Sequence, residues 1–152
     1  MLHIEKGVYS VDVDVNATHK AYRKLPELSC DCVGCRNYLQ AVDRAPEELK
    51  AFLTELGMDI RKPEEMATYA KESGGQELVQ YGGTFYLVGE LAQDVPEISS
   101  DSPDFVFHEG EATLFFHQGV QAKEKGFPKP TLRLEVFFWL PWELEAELKE
   151  EA

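Results

Sequence analysis

The chain has 152 residues, a hydrophobic fraction of 43% and a formal net charge of −13. That much negative charge repels phosphate backbones and anionic lipids, which excludes general nucleic-acid binding and membrane-surface binding and favours a basic protein partner. The length and the hydrophobic fraction predict one domain over residues 1–152, with a core that needs no disulfide or metal in order to fold.

The targeting and cysteine signals indicate the reducing cytoplasm. Residues 1–15 lack the charged start and the apolar run of a signal peptide, and no stretch of the sequence reaches the ~20 apolar residues of a membrane span. Three cysteines are an odd number, and their spacing is not that of a disulfide framework. We therefore expect a cytoplasmic protein without a disulfide scaffold.

The first half of the chain is predicted to contain one strand followed by helices. Strict alternation of apolar and polar residues indicates the strand, and apolar side chains at helical spacing before Gly57 indicate the clearest helix. The stretch between the strand and the cysteines shows no clear period. In chain order, the predicted elements are a strand over residues 8–15, a short helix over 36–44, a helix over 45–57 and a second short helix from 63 to before 74.

The second half is predicted to be rich in antiparallel strands. Adjacent glycines, Gly82 and Gly83, lie between two strand-like runs and predict a hairpin with a two-residue turn. Helices first and antiparallel strands later indicate an α+β fold, with the helices packed on a sheet of about five to six strands. In chain order, the predicted elements are a hairpin over residues 77–91, a loop over 94–104, a hairpin over 105–117 around Gly110, a strand over 131–140 and an acidic helical tail over 141–152.

Cys30, Cys32 and Cys35 form a C-x-C-x2-C run, which is the most distinctive chemical feature of the sequence. In an extended chain Cys30 and Cys32 project to the same side, and the two-residue spacer allows a turn that brings Cys35 round. Three thiolates converge on one ion in this way, whereas a structural zinc site needs four ligands. The sequence therefore predicts a zinc site at this thiol cluster, with a fourth ligand that is His19, the nearest imidazole, Asp31 or a water.

Two other interpretations of the cysteines stay open. Free cysteines are ordinary small core residues. Alternatively Cys35, at the start of a helix and beside Arg36, is a reactive or redox thiol. The C-x2-C run from Cys32 matches a thioredoxin motif, but helices that lead into antiparallel strands do not match that fold. A small thiol- or metal-dependent enzyme that uses Cys35 is therefore the alternative to a binding protein.

Several other residues of chemical interest have plain structural explanations. Asp12 and Asp14 form a D-x-D pair, which holds Mg²⁺ in nucleotide sites but also arises on any solvated strand face. His108 and His117 lie too far apart along their hairpin to share one metal ion. The sequence contains no phosphate-binding loop, dinucleotide fingerprint or nucleophile elbow. These absences favour a non-catalytic protein.

Aromatic residues cluster near the end of the last predicted strand. Phe138 belongs to its core face, whereas Phe137 and Trp139 point the other way. A second packed layer, such as the helices, explains such a pair, and so does a partner surface. The sequence alone leaves both explanations open.

The cysteine motif and its surroundings resemble a family of small uncharacterised bacterial proteins, Firmicutes-like in character, for which no function is established. The resemblance covers most of the chain, and its distinctive part is the run C-x-C-x2-C-R-N-Y. It implies one domain and a bacterial cytoplasmic origin, and it implies no reaction, substrate or cofactor. The segments that carry it are residues 30–38, Leu56-Gly57-Met58-Asp59 with Lys62-Pro63, residues 81–86 with Val88-Gly89, and Leu140-Pro141-Trp142.

Together these observations predict a binding or accessory protein with a basic partner and a structural metal at the thiol cluster. The predicted metal ligands are Cys30, Cys32, Cys35 and His19, and zinc is the predicted metal.

Overall fold

A computed structural model describes residues 1–28, 31–74, 76–91, 106–120 and 125–144. The predicted α+β class is confirmed, since three helices lie in the first half and seven antiparallel strands form one sheet. The strands number one more than the upper expectation. In chain order the elements are β1 (Leu2–Lys6), β2 (Tyr9–Val13), α1 (Val15–Lys24), α2 (Val33–Ala41), a 3-10 turn (Val42–Arg44), α3 (Glu47–Glu55), β3 (Glu65–Gly74), β4 (Gln76–Leu91), β5 (Phe107–Glu109), β6 (Ala112–Val120) and β7 (Thr131–Pro141).

The long strand β4 organises the sheet, whose order is β1-β2-β4-β7-β6-β5. The first part of β4 pairs with β3 and its last three residues pair with β2, while β7 follows almost its whole length on the other side. Because each of these pairings satisfies a row of backbone groups, β4 is the strand to which the rest of the fold is attached.

The strands predicted from alternation are confirmed. In β2 the buried residues alternate with half-buried polar ones, and in β7 all the even-numbered residues from Leu132 to Leu140 are buried. The hairpin of β5 and β6 turns at Gly110, which has a φ of +61°. The predicted loop over residues 94–104 lies outside the described residues, as does residue 105 of the predicted hairpin. Of the predicted helical tail, residues 142–144 have no regular structure and residues 145–152 lie outside the described residues.

The helix predicted over residues 45–57 is also confirmed as α3, which packs on the sheet through a buried apolar stripe. Its apolar stripe of Leu49, Phe52 and Leu53, continued by Leu56, is buried against the sheet. Gly57, with a φ of +87°, ends it. The helix over residues 36–44 is likewise present, although it begins earlier, at Val33, and ends in a 3-10 turn.

The predicted helix after Pro63 is wrong, because residues Glu65–Gly74 form β3. The two glutamates after a proline imitate a helix start, but the backbone N–H of Glu64 donates to Thr84 O at 2.7 Å and opens a strand ladder instead. Met66 and Thr68 then pair with Gly83 and Tyr81. Pairing with β4 therefore overrides the local signal.

The predicted hairpin at Gly82-Gly83 is also wrong, since β4 runs through both glycines without a turn. A Cβ on Gly82 would lie 2.5 Å from Tyr69 Cε2 and 2.6 Å from Phe137 Cε1, which is closer than Cβ atoms pack. Glycine is needed at this position for the close approach of two aromatic rings, and not for a turn.

The sequence analysis did not predict two of the elements. Strand β1 pairs with β2, and helix α1 follows β2 directly. The carboxylate of Asp14 caps α1 by accepting from Ala17 N at 3.0 Å. The residues that α1 buries are Thr18, Ala21 and Tyr22, a small and partly polar set that makes no leucine stripe.

The sheet has two distinct faces. Helix α2 packs on the face that carries the even-numbered residues of β7, as the edge-to-face contact of Tyr38 with Phe138 at 6.2 Å shows. Helix α3 packs on the same face, since Phe52 contacts Phe107, which lies opposite Leu114, itself opposite Val136. We call the opposite side the outer face; its central positions are Tyr69, Thr84, Phe115, His117, Arg133, Glu135 and Phe137. Among the helices of the described residues, none is both long and apolar enough to cross a membrane.

Candidate functional site

Cys32 and Cys35 lie together at the N-terminus of α2. Cys32 is the N-cap residue, and its Sγ accepts a hydrogen bond from Cys35 N at 3.3 Å. Cys32 is exposed, whereas Cys35 is 4% exposed. Two of the three predicted thiols are thus neighbours on one helical turn, and Cys30 lies outside the described residues.

A buried polar network holds this helix start against the sheet. Tyr81 of β4 donates its hydroxyl to Gly34 O at 2.7 Å and accepts from Asn37 Nδ2 at 3.1 Å. Asn37 also donates to Pro141 O at 3.2 Å, and its Oδ1 accepts from Glu143 N at 2.7 Å. Burial raises the pKa of Tyr81 to about 12, so its hydroxyl stays protonated as a donor.

The motif residue after Asn37 has a similar structural role. Tyr38 is fully buried, packs edge-to-face on Tyr81 with ring centroids 5.4 Å apart, and donates its hydroxyl to Ile60 O. The asparagine and tyrosine of C-x-C-x2-C-R-N-Y therefore hold the helix start that carries Cys32 and Cys35 against the sheet. Sequence reasoning assigned them no role, because their partner Tyr81 lies 44 residues beyond Asn37.

An open hollow of about 520 Å³ lies beside Cys35. Its lining combines apolar residues with two lysines and three glutamates, and none of the described residues that line it is a histidine. Lys62 is held there by donating to Tyr22 O at 2.9 Å. Its apolar surface includes Leu25, Leu28, Pro63 and Met66.

His19, the proposed fourth ligand, lines a different hollow, of about 330 Å³, together with Tyr22 and Lys50. It is exposed on α1 and packs beside Gly57. Within the described residues, no three His, Cys, Asp or Glu side chains come close enough to hold a metal ion. Because Cys30 lies outside that part of the chain, the zinc ligand set stays a prediction.

The outer face carries an aromatic cluster of Tyr69, Phe115 and Phe137. The Tyr69 and Phe137 rings meet edge-to-face at 5.5 Å, and the Phe115 and Phe137 rings stack at 6.1 Å. Tyr69 is 63% exposed, whereas Phe115 is 8% exposed. The cluster thus consists of one exposed ring, that of Tyr69, packed against the Phe137 ring, which in turn stacks on Phe115.

Charged groups lie next to this cluster on the same face. Glu135 accepts from Thr84 Oγ1 at 3.2 Å, and Arg133 Nε lies 3.1 Å from Glu135 Oε1 without the alignment of a hydrogen bond. Burial raises the pKa of Glu135. Burial also lowers the pKa of His117, and the Arg133 guanidinium adds to that effect. Shifted titratable groups beside exposed aromatic surface are typical of binding sites.

Other candidate residues have structural partners. The Asp12 carboxylate lies 2.8 Å from His3 Nδ1, and the Asp14 carboxylate is occupied in capping α1. His108 is exposed and lies 3.3 Å from Thr113 Oγ1, while His117 packs on Phe115 with ring centroids 5.1 Å apart. The two histidines belong to different local environments.

Comparison with known proteins adds no assignment to this geometry. No family model, no curated protein and no solved structure gives a significant match to the chain. The resemblance through the cysteine motif stays a prediction.

The sequence missed the outer face because β3 was predicted to be a helix. With that segment predicted as a helix, nothing in the sequence placed Tyr69 beside Phe137, although the alternation in β7 already placed Phe137 and Trp139 away from the core. Phe137 and Trp139 had two explanations, a second packed layer such as the helices or a partner surface. Packing by α2 is excluded, since Tyr38 contacts Phe138 on the other face.

Proposed function

We propose that this protein is a non-catalytic binding or accessory protein of the bacterial cytoplasm, which holds a basic protein partner on its outer face. The observation that carries the proposal is the cluster of Tyr69, Phe115 and Phe137 beside the half-buried carboxylate of Glu135. An aromatic ring next to a carboxylate suits the guanidinium or ammonium group of an arginine or lysine. The net charge of −13 would attract such a partner over a longer range.

A labelled arginine- and lysine-rich peptide tests this surface. We expect Tyr69→Ala to weaken its binding about tenfold, because the variant removes the exposed ring of the cluster. Raising the salt from about 20 mM to about 150 mM should weaken wild-type binding at least about fivefold. Fluorescence anisotropy measures both effects.

The matched control is Val8→Ala, which trims another exposed apolar side chain, outside the outer face, at the turn between β1 and β2. It should bind the peptide like the wild type. Binding that ignores salt, or a Tyr69→Ala variant with unchanged affinity, would remove this part of the proposal.

The proposal also assigns a structural zinc ion to the thiol cluster, held by Cys30, Cys32, Cys35 and either His19 or a water. The support for it is the placement of Cys32 and Cys35 on one helical turn. Protein purified under reducing conditions should contain about one zinc per chain. Cys32→Ser should release the metal and lower the melting temperature by about 5 °C or more, because the free energy of metal binding is shared with folding.

Metal analysis of two histidine variants completes this test. His19→Ala should lose the metal if the imidazole is the fourth ligand and keep it if a water is. His108→Ala, an exposed histidine on another part of the sheet, is the control that should keep it. Metal-free wild-type protein whose melting temperature equals that of Cys32→Ser would contradict the zinc assignment.

The hollow beside Cys35 favours a thiol-dependent enzyme as a second candidate function. A thiol nucleophile is usually activated by a neighbouring imidazole, and the described lining of the hollow supplies none. We therefore place this candidate after the binding protein.

A further inference from the structure

The hollow of about 330 Å³ that is lined by α1, α3 and the segment after α3 has a charge balance opposite to that of the whole chain. Of the described residues in its lining, Arg23, Lys50 and Lys62 are basic and Asp59 alone is acidic. The whole chain carries 15 lysines and arginines against 28 aspartates and glutamates, and the hollow beside Cys35 has two lysines against three glutamates. Positive charge that is concentrated in a concave surface indicates a site for an anion.

The three basic residues come from three separate segments of the chain. Arg23 belongs to the last turn of α1, Lys50 to α3, and Lys62 to the segment between α3 and β3. The dipole of α1 explains a basic residue in its last turn. It does not explain why α3 places a lysine at the same hollow. The tertiary fold, and not one helix end, therefore brings these charges together.

The two lysines are held in place and still have N–H groups for a ligand. Lys62 Nζ donates to Tyr22 O at 2.9 Å, and Lys50 Nζ donates to Asp43 O at 2.7 Å and forms an ion pair with an exposed glutamate of its own helix. An ammonium group has three N–H donors and a guanidinium group has five. Within the described part of the chain, Lys62 uses one donor, Lys50 uses two and Arg23 uses none. The hollow therefore offers several donors to the oxygens of an anion.

Apolar side chains complete the lining. Tyr22 and Met58 are buried, and Ile60 is partly buried. The Tyr22 ring is fixed, because its hydroxyl donates to Tyr86 O at 2.6 Å. Ligand pockets begin at about 300 Å³, so a hollow of this volume suits a compact molecule. The lining therefore fits an anion that also has an apolar body.

We propose that this hollow binds a small organic phosphate, a phosphomonoester with a compact apolar or aromatic body. The phosphate oxygens accept hydrogen bonds from Arg23, Lys50 and Lys62, and the body packs on Tyr22 and Met58. Three basic residues and one aspartate leave two positive charges, which match the dianion that a phosphomonoester forms above its second pKa of about 6. A carboxylate supplies only one negative charge and matches less well.

This inference goes beyond the proposed function and does not rest on it. The hollow shares no residue with the outer face, so a failure of the peptide experiment would leave the phosphate site unaffected. His19 also lines the hollow, but it is a candidate zinc ligand and the proposed phosphate contacts do not include it. The phosphate site therefore stands whether or not the chain holds zinc.

Phenyl phosphate is the probe for this site, and isothermal titration calorimetry at about pH 8, where the probe is a dianion, measures its binding. The wild type should bind it saturably with a Kd below about 1 mM. Arg23→Gln and Lys50→Gln should each weaken the binding at least about fivefold, because each removes a charged donor. Arg23 is exposed and has no hydrogen-bond or ion-pair partner among the described residues, so its replacement leaves the fold intact.

The matched control is Lys24→Gln, which removes one positive charge from the exposed neighbour of Arg23 on α1, outside the lining of the hollow. It should change the affinity less than about twofold, since solvent screens an exposed charge that does not touch the ligand. Equal weakening by Arg23→Gln and Lys24→Gln, or no saturable binding by the wild type, would overturn the proposal.

Two further ligands test the chemistry of the site on the wild type. Benzoate has the same ring with one negative charge, and inorganic phosphate has the charge without the ring. Each should bind at least about fivefold more weakly than phenyl phosphate, because each lacks one of the two contacts. Benzoate that binds as tightly as phenyl phosphate would overturn the assignment to a phosphate, and inorganic phosphate that does so would overturn the apolar body.

Discussion

Asn37→Ala should lower the free energy of unfolding by about 2–4 kcal/mol, the largest effect that we expect from a polar substitution in this protein. The side chain is fully buried and joins α2 to Tyr81, to the last residue of β7 and to Glu143. Its removal would leave Pro141 O and Glu143 N without their side-chain partner. Urea unfolding followed by circular dichroism measures the change.

Two companion variants make this test specific. Asn16→Ala replaces an exposed asparagine on α1 and should change the stability by no more than about 0.5 kcal/mol. Tyr81→Phe keeps the ring contact with Tyr38 but removes the hydroxyl, and it should cost about 1–2 kcal/mol. If Asn37→Ala proved as mild as Asn16→Ala, the network would not be what holds the helix start to the sheet.

Gly82→Ala should cost about 1–3 kcal/mol, because its Cβ would lie 2.6 Å from the Phe137 ring. Tyr69 is exposed and can swing away, whereas Phe137 is held between Tyr69 and Phe115. Removing the Phe137 ring should therefore relieve the clash. We expect a coupling free energy of at least about 1 kcal/mol between Gly82→Ala and Phe137→Ala in a double-mutant cycle.

The control cycle combines Gly82→Ala with Phe52→Leu, on α3 beneath Phe107. These two changes should add within about 0.5 kcal/mol, since Phe52 contacts Phe107 whereas a Cβ on Gly82 would meet Tyr69 and Phe137. If Gly82 lay in a hairpin turn, its Cβ would not meet the Phe137 ring, and Gly82→Ala and Phe137→Ala would also be additive. Additivity in both cycles would therefore contradict the continuous strand β4.

The thiol cluster could be recognised from the sequence because cysteines at this spacing are rare. The residues that hold it against the sheet could not be recognised in the same way. Asn37 and Tyr38 look like ordinary helix residues until β4 brings Tyr81 beneath them. Likewise the outer face needs Tyr69 from β3 beside Phe137 from β7, and only the strand order brings these two together. Contacts between distant segments leave no local signature.

Local patterns in the sequence are sufficient to predict the α+β class, helix α3, the β5–β6 hairpin and strand β7, because a hydrophobic period or a turn residue marks each element. By contrast, contacts between distant segments make Glu65–Gly74 a strand and carry β4 straight through Gly82 and Gly83. A segment after Pro-Glu-Glu has weak intrinsic preferences, and a row of hydrogen bonds to β4 outweighs them. Adjacent glycines permit a turn but equally permit two aromatic rings to pack on a flat strand, and the neighbouring strands, not the glycines, select between these outcomes.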